Sequence, residues 1–212
     1  MRPHPTLTSL RLAADPDAWR GCGVDVDVNG CARLGGVLLH IAGPDAGRGL
    51  LGWNFTGLED RAEIAGIPVL DDITGTGGAD HPLRIDALDH VVVMTGDLDR
   101  TLAALDDAGL DRRRIRETDQ IRQAFYLVGP ALIEVAAPRE PTTEPARLWG
   151  LTVNVEDLDA AADLLGEKLG SIRDAVQPGR RIATVRREAG LGIPVALMTP
   201  RRPIEAHPPV AS

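Results

Sequence analysis

Aromatic residues are scarce in this chain: three Trp, one Tyr and two Phe in 212 positions leave Leu, Val, Ile and Ala to build the core. Lysine is scarcer still, Lys168 being the sole one among 23 basic residues. Cysteine is limited to Cys22 and Cys31, with no histidine cluster beside them, so free thiols are expected rather than a disulfide or a zinc site. No apolar run approaches the roughly 20 residues that cross a bilayer. The opening Met1-Arg2-Pro3-His4-Pro5 lacks an apolar signal segment, so a cytoplasmic location without a membrane partner is expected.

Positive charge is also short. With 31 acidic residues the net charge is −8, which argues against nucleic acid as a partner because phosphate binding needs a concentrated basic surface. Two arginine-rich stretches run against that trend, Arg112-Arg113-Arg114-Ile115-Arg116 and Arg180-Arg181 with Arg186-Arg187. Their favoured reading is a solvated helix end and strand edges, the alternative an anion-accepting rim. The chain has no Gly-x-Ser-x-Gly elbow, no phosphate loop with lysine and no dinucleotide fingerprint. Gly75-Thr76-Gly77-Gly78 lacks the strand and helix context of a phosphate loop and reads as a linker.

What the chain does have is an internal repeat. Leu88-Asp89-His90-Val91-Val92-Val93-Met94 followed by Asp97-Leu98-Asp99 returns as Trp149-Gly150-Leu151-Thr152-Val153-Asn154-Val155 followed by Asp157-Leu158-Asp159, sixty positions later. The closing prolines Pro138 and Pro200 lie 62 apart, so the copies differ by a short insertion. Each copy reads as a strand, a helix with an aspartate N-cap (Asp97, Asp157), and further strands. Leu98, Leu102 and Leu105 form the first helix face, ended by Gly109. Leu158, Ala161, Leu164, Leu165 and Leu169 form the second, with Gly170 expected to end it. Strands are expected at Gln120–Val128 and Ala131–Ala137, then at Arg181–Arg187 and Ile193–Met198.

These patterns divide the chain into an N-terminal segment and linker (1–82), two modules (83–138 and 147–200), a proline-rich linker (139–146) and a frayed tail (201–212). The N-terminal segment reads as a shorter, degenerate third copy, with strands at Leu7–Ala13, Gly35–Ile41 and Leu50–Phe55, a short helix at Asp15–Arg20, a hairpin turn at Asn29-Gly30 and a second turn at Gly43–Gly47.

A tandem βαβββ module that opens on Leu-Asp-His-Val-Val-Val, continues with Asp-Leu-Asp and closes on Ile133-Glu134-Val135 resembles the vicinal oxygen chelate superfamily, the glyoxalase, bleomycin-resistance and extradiol-dioxygenase type. The resemblance implies an α+β fold of curved mixed sheets with a central cleft and helices outside. It also implies one divalent metal, held by side chains from the first and last strands of each module. His90 and Glu134 fit those positions in the first module, suiting iron, manganese, nickel or zinc. Their second-module counterparts, Gly150 and Ala196, carry no donor, so the set is half complete and no cofactor is expected unless His40, Gln123 or Glu188 reaches in.

His90 has a plainer reading as a strand histidine satisfied by Asp89 or Glu134. Glu134, between Ile133 and Val135, is expected to face a polar cavity rather than a dry core. If the two share that cavity they form a metal-free acid/base pair. Arg122, Gln123 and Arg186 are the candidates for binding an anionic or carbonyl group, and Trp149 or Trp53 for lining the site.

Two functions stay open. One is a glyoxalase-like protein that binds a small oxygenated metabolite or antibiotic-like ligand without transforming it. The other is an enzyme, either a metal-dependent lyase, isomerase or dioxygenase with an atypical ligand set or a metal-free catalyst using His90 and Glu134. A homodimer is the expected assembly, since open sheets leave edges to pair.

Overall fold

The computed structural model describes residues 4–73 and 75–201. In chain order they form β1 (Thr6–Ala13), α1 (Pro16–Arg20), β2 (Cys31–Leu34), β3 (Val37–Ile41), β4 (Gly49–Thr56), β5 (Glu63–Ile64), β6 (Ile67–Pro68), β7 (Ile85–Met94) and α2 (Leu98–Asp107). There follow β8 (Asp111–Glu117), β9 (Ile121–Val128), β10 (Ala131–Pro138), β11 (Arg147–Val155), α3 (Leu158–Leu165), β12 (Arg173–Asp174), β13 (Arg181–Thr184) and β14 (Val195–Met198).

The two repeats build one eight-stranded sheet in the order β12-β13-β14-β11-β7-β10-β9-β8. In each copy the first strand lies parallel to the last, β7 with β10 and β11 with β14. The copies meet where β7 and β11 run antiparallel, with His90 opposite Thr152 and Val92 opposite Gly150. That register is a local twofold relation exchanging position 90 with 150 and 92 with 152, so the sixty-residue repeat is expressed directly in the pairing. The result is the mixed-sheet α+β architecture of paired βαβββ modules that the resemblance implies.

The helices start where the aspartates predict. Asp97 accepts from the Arg100 amide, and Asp157 from those of Asp159 and Ala160. Leu98, Leu102 and Leu105 of α2 and Leu158, Ala161 and Leu165 of α3 are buried. The second helix is shorter than expected: it stops at Leu165, Gly166 adopts φ +52°, and one tight turn reaches Lys168 before Leu169. Strand β13 likewise ends at Thr184, because Arg187–Ala189 form a tight turn.

The N-terminal segment differs more from expectation. It makes a separate four-stranded sheet, β2-β3-β1-β4. The β2–β3 hairpin turns at Gly35-Gly36, not at Asn29-Gly30, where Asp27 and Gly30 close a turn ahead of β2. Strand β4 lies antiparallel to β1 as β11 does to β7, and Trp53 bridges in parallel to Val69, just beyond β6. One continuous core joins both sheets and their helices, containing Leu10 and Trp53 of the first sheet with Trp19 of α1, and Val91, Val93 and Val153 of the second with Leu105 of α2. Trp19 donates its indole N–H to the Leu191 carbonyl at 3.1 Å across that junction.

Both linkers are pinned. Gly78 exchanges backbone hydrogen bonds with Cys31 and Arg33 on the β2 edge. Gly96 does the same with Thr142 and Glu144, an approach that leaves no room for a Cβ at Gly96. Cys22 and Cys31 are free and buried. Among the described residues no helix is long and apolar enough to cross a membrane. The expected tail beyond Arg201 lies outside the described residues.

Candidate functional site

Strand alternation sends His90, Val92 and Met94 of β7, Gln123 of β9, and Glu134 and Ala136 of β10 to one face of the large sheet, where they line a cup of about 590 Å³. Thr152, Ile182 and Ala196 close it from the second copy. Leu132 pairs with His90 and Glu134 with Val92, which makes His90 and Glu134 diagonal neighbours on adjacent strands. His90 Nε2 lies 3.6 Å from Glu134 Oε2, beyond hydrogen-bond range. The other Glu134 oxygen accepts from the Gln123 amide at 2.5 Å.

Behind the imidazole is a buried polar chain. His90 Nδ1 is 2.8 Å from Asp89 Oδ2, and Asp89 Oδ1 is 2.8 Å from Arg180 Nη2. Arg180 also donates to Asn154 Oδ1 at 2.6 Å and to the Thr199 carbonyl at 2.7 Å. The Asp89 and Arg180 side chains are 3% and 5% exposed, so the pair is desolvated and its hydrogen bonds are what make its burial tolerable. Burial by itself pushes the Asp89 carboxyl up. Hydrogen bonds from His90 and Arg180, with their charges, outweigh it and hold the pKa at about 2. An ionised Asp89 accepts the Nδ1 proton, which fixes the tautomer and leaves the Nε2 lone pair to the cup.

Asp89 can serve the residue beside it because the strand is bulged there. Between His90, opposite Thr152, and Leu88, opposite Val153, Asp89 is the extra residue. A second bulge on β11 makes Trp149 the extra residue between Leu148 and Gly150. Positions 89 and 149 are repeat equivalents. One copy uses the irregularity to set a carboxylate behind the histidine, the other to swing a 39% exposed tryptophan to the mouth of the cup.

A divalent metal does not fit these residues. His90 and Glu134 would supply two donors from one wall, and among the described residues no group of three or more His, Cys, Asp or Glu is placed to hold an ion. The opposite wall is closed as well as bare: a Cβ at Gly150 would come within 2.6 Å of the Pro194 carbonyl oxygen. His40 sits in β3 of the other sheet and lines a different hollow with Arg11 and Asp72, while Glu188 lies outside the cup.

Of the expected ligand-binding residues, Gln123 and Trp149 line the cup and Arg122 and Arg186 do not. Arg122 alternates to the helix side of β9, where Asp99 takes it bidentately at 2.9 and 3.0 Å and Glu117 at 3.0 Å. Arg186 donates to the Leu169 carbonyl at the far edge of the sheet. Trp53 is core, edge-on to Phe55 with ring centroids 5.4 Å apart. Sequence reasoning named Asp89 only as a neighbour of His90 and Arg180 only as part of an arginine-rich run, and gave Asn154 no role. The one available signal was the arginine pair at 180 and 181, whose members part company: Arg181 takes Asp159 at the surface, whereas Arg180 is buried.

No family model matches the chain, and no curated protein matches it. Among solved structures the chain is similar to methylmalonyl-CoA epimerase from Mycobacterium tuberculosis, at 23% identity and a TM-score of 0.47 over 56% of this chain and 91% of that one. It is also similar to a hypothetical protein from Bacillus halodurans, at 14% identity and 0.46 over 56% and 97% of the two chains. A methylmalonyl-CoA epimerase from Streptomyces coelicolor, in complex with 2-nitronate-propionyl-CoA, gives 20% and 0.43 over 53% and 95%.

Proposed function

We propose, on the glyoxalase-like fold that the two paired βαβββ modules form, that the cup binds a small oxygenated metabolite and that His90 and Glu134 move a proton on it without a metal. The observation that carries this reading is the pair of proton acceptors, Nε2 and Oε2, 3.6 Å apart at the floor of one cavity. The separation is too long for them to satisfy each other and short enough for both to reach one carbon or oxygen atom of a ligand.

In the step proposed, Nε2 takes a proton from a carbon next to a carbonyl, the C–H pair moves toward the carbonyl oxygen, and the new imidazolium is stabilised by the Asp89 carboxylate 2.8 Å from Nδ1. Glu134, held by Gln123, takes that proton from the imidazolium Nε2 and delivers it to the carbanion carbon as the carbonyl reforms, so that both side chains end as they began. Thr152, whose side chain faces His90 from the second copy, and the apolar walls limit water around the reacting atoms.

Binding without turnover is the second reading, favoured by the largely apolar lining and by Trp149 at the mouth. Incubating the protein in D2O with a panel of 2-oxo acids, hydroxyketones and their esters, and following deuterium wash-in by proton NMR, separates the two. Proton transfer gives exchange that falls about a hundredfold or more in His90→Ala and in Glu134→Gln. Saturable binding without any exchange supports sequestration, and exchange indifferent to both substitutions removes the pair from the chemistry.

A further inference from the structure

His90 belongs to two hollows. Toward β8 the cup gives way to a second one of about 660 Å³, floored by Phe125 and Leu132 and ringed by Arg113, Arg114, Arg180 and Arg201. Among the described residues no carboxylate lines it, although the chain as a whole carries a net charge of −8. Four guanidinium groups around one opening therefore run against the protein's own charge.

The guanidiniums are placed differently from those of an ordinary solvated strand edge. Arg114 pairs with Phe125 in the register, and its guanidinium stacks 4.5 Å from the centre of that ring. Stacking fixes the plane while leaving the N–H edge free, and among the described residues Arg114 makes no ion pair. Arg180 is held rigid by Asp89, Asn154 and the Thr199 carbonyl, yet its Nη1 is buried without a hydrogen-bond partner. An unpartnered charged donor on a 5% exposed side chain is costly unless something else accepts from it. Arg112, by contrast, turns to Asp106 on α2 at 3.2 Å, and Arg113 is shared with Asp111 at 3.1 Å.

We propose that this hollow is an oxyanion compartment, holding a phosphate or dicarboxylate group of the ligand whose reacting end lies over His90 and Glu134. The proposal rests on the reading of the cup for that last clause and on the arginines alone for the rest. Planar, fixed guanidiniums match two-oxygen anions, and a cleft of one sign raises the local concentration of its counter-ion. The ligand class is then an oxygenated metabolite with an anionic arm long enough to pass His90, not a neutral one.

The probes are pyrophosphate and malonate, titrated separately into the full-length protein at low ionic strength and followed by calorimetry. Saturable binding of either supports the compartment, the tighter one naming the anion. Arg114→Gln then weakens it about tenfold, as loss of one charge-assisted contact should, and Arg112→Gln, the same charge change on the other face of β8, leaves it unchanged. Binding of neither probe, or equal weakening by both substitutions, overturns the proposal. Thermal melting of both variants confirms that the edge strand stays folded. Because the readout needs no turnover, failure here leaves the His90–Glu134 pair standing, and failure of deuterium exchange leaves the compartment standing.

Discussion

Asp89 and Trp149 are the same position in two copies of one module, and each is the extra residue of a bulge on its copy's first strand. The duplication has kept the backbone irregularity and divided its use. In the first copy the bulge carries a buried carboxylate behind His90, and in the second it carries the ring at the mouth of the cup. Acid/base groups therefore stand on one wall, while the matching positions of the other, Gly150 and Ala196, carry none.

Asp89→Asn keeps the shape of the side chain but leaves the Arg180 charge buried without its counter-ion. A loss of about 3–5 kcal/mol is expected, measured by urea denaturation, together with a marked fall in any exchange activity because the imidazolium loses the carboxylate charge that stabilises it.

Acid should reveal the same carboxylate. Its folded pKa of about 2 lies below the ordinary 3.8, so its contribution is fully present above pH 3.8 and is lost as pH falls through about 2. Denaturation curves between pH 5 and pH 2, compared with those of Asp89→Asn, are expected to show a difference that shrinks by about 2 kcal/mol over that interval.

Gly150→Ala tests the closed wall. With the Pro194 oxygen 2.6 Å from the new Cβ, the β11–β14 pairing must shift, and a loss of about 1–3 kcal/mol is expected by thermal melting. The larger Gly150→His would destabilise the fold further rather than complete a metal site.

Arg122→Ala should matter little. Its partner Asp99 is 69% exposed and the pair sits on the helix side of β9, so a change of about 1 kcal/mol or less is expected, with ligand binding unaltered.

How much of this was legible beforehand depended on periodicity. The repeat, the aspartate caps and the alternation along β7 and β10 are local patterns, and they placed both modules and brought His90 and Glu134 to one cavity. The bulge at Asp89 is invisible to alternation, because a single extra residue leaves no compositional mark. Arg180 reaches Asp89 from a connection about one and a half modules away in sequence, and its partners become neighbours only once β11 and β7 pair. Arg122 failed as a candidate for the opposite reason: its chemistry suited a ligand, but one step of alternation turned it to Asp99. In the N-terminal segment β5 and β6 escaped notice because they are two residues each, below what a hydrophobic pattern can register.

Elemental analysis of protein purified without chelators, run beside the deuterium-exchange assay, tests the central claim most directly. The account predicts metal well below one equivalent and exchange unchanged by added zinc, nickel, manganese or iron. A stoichiometric first-row metal that disappears in His90→Ala would contradict it.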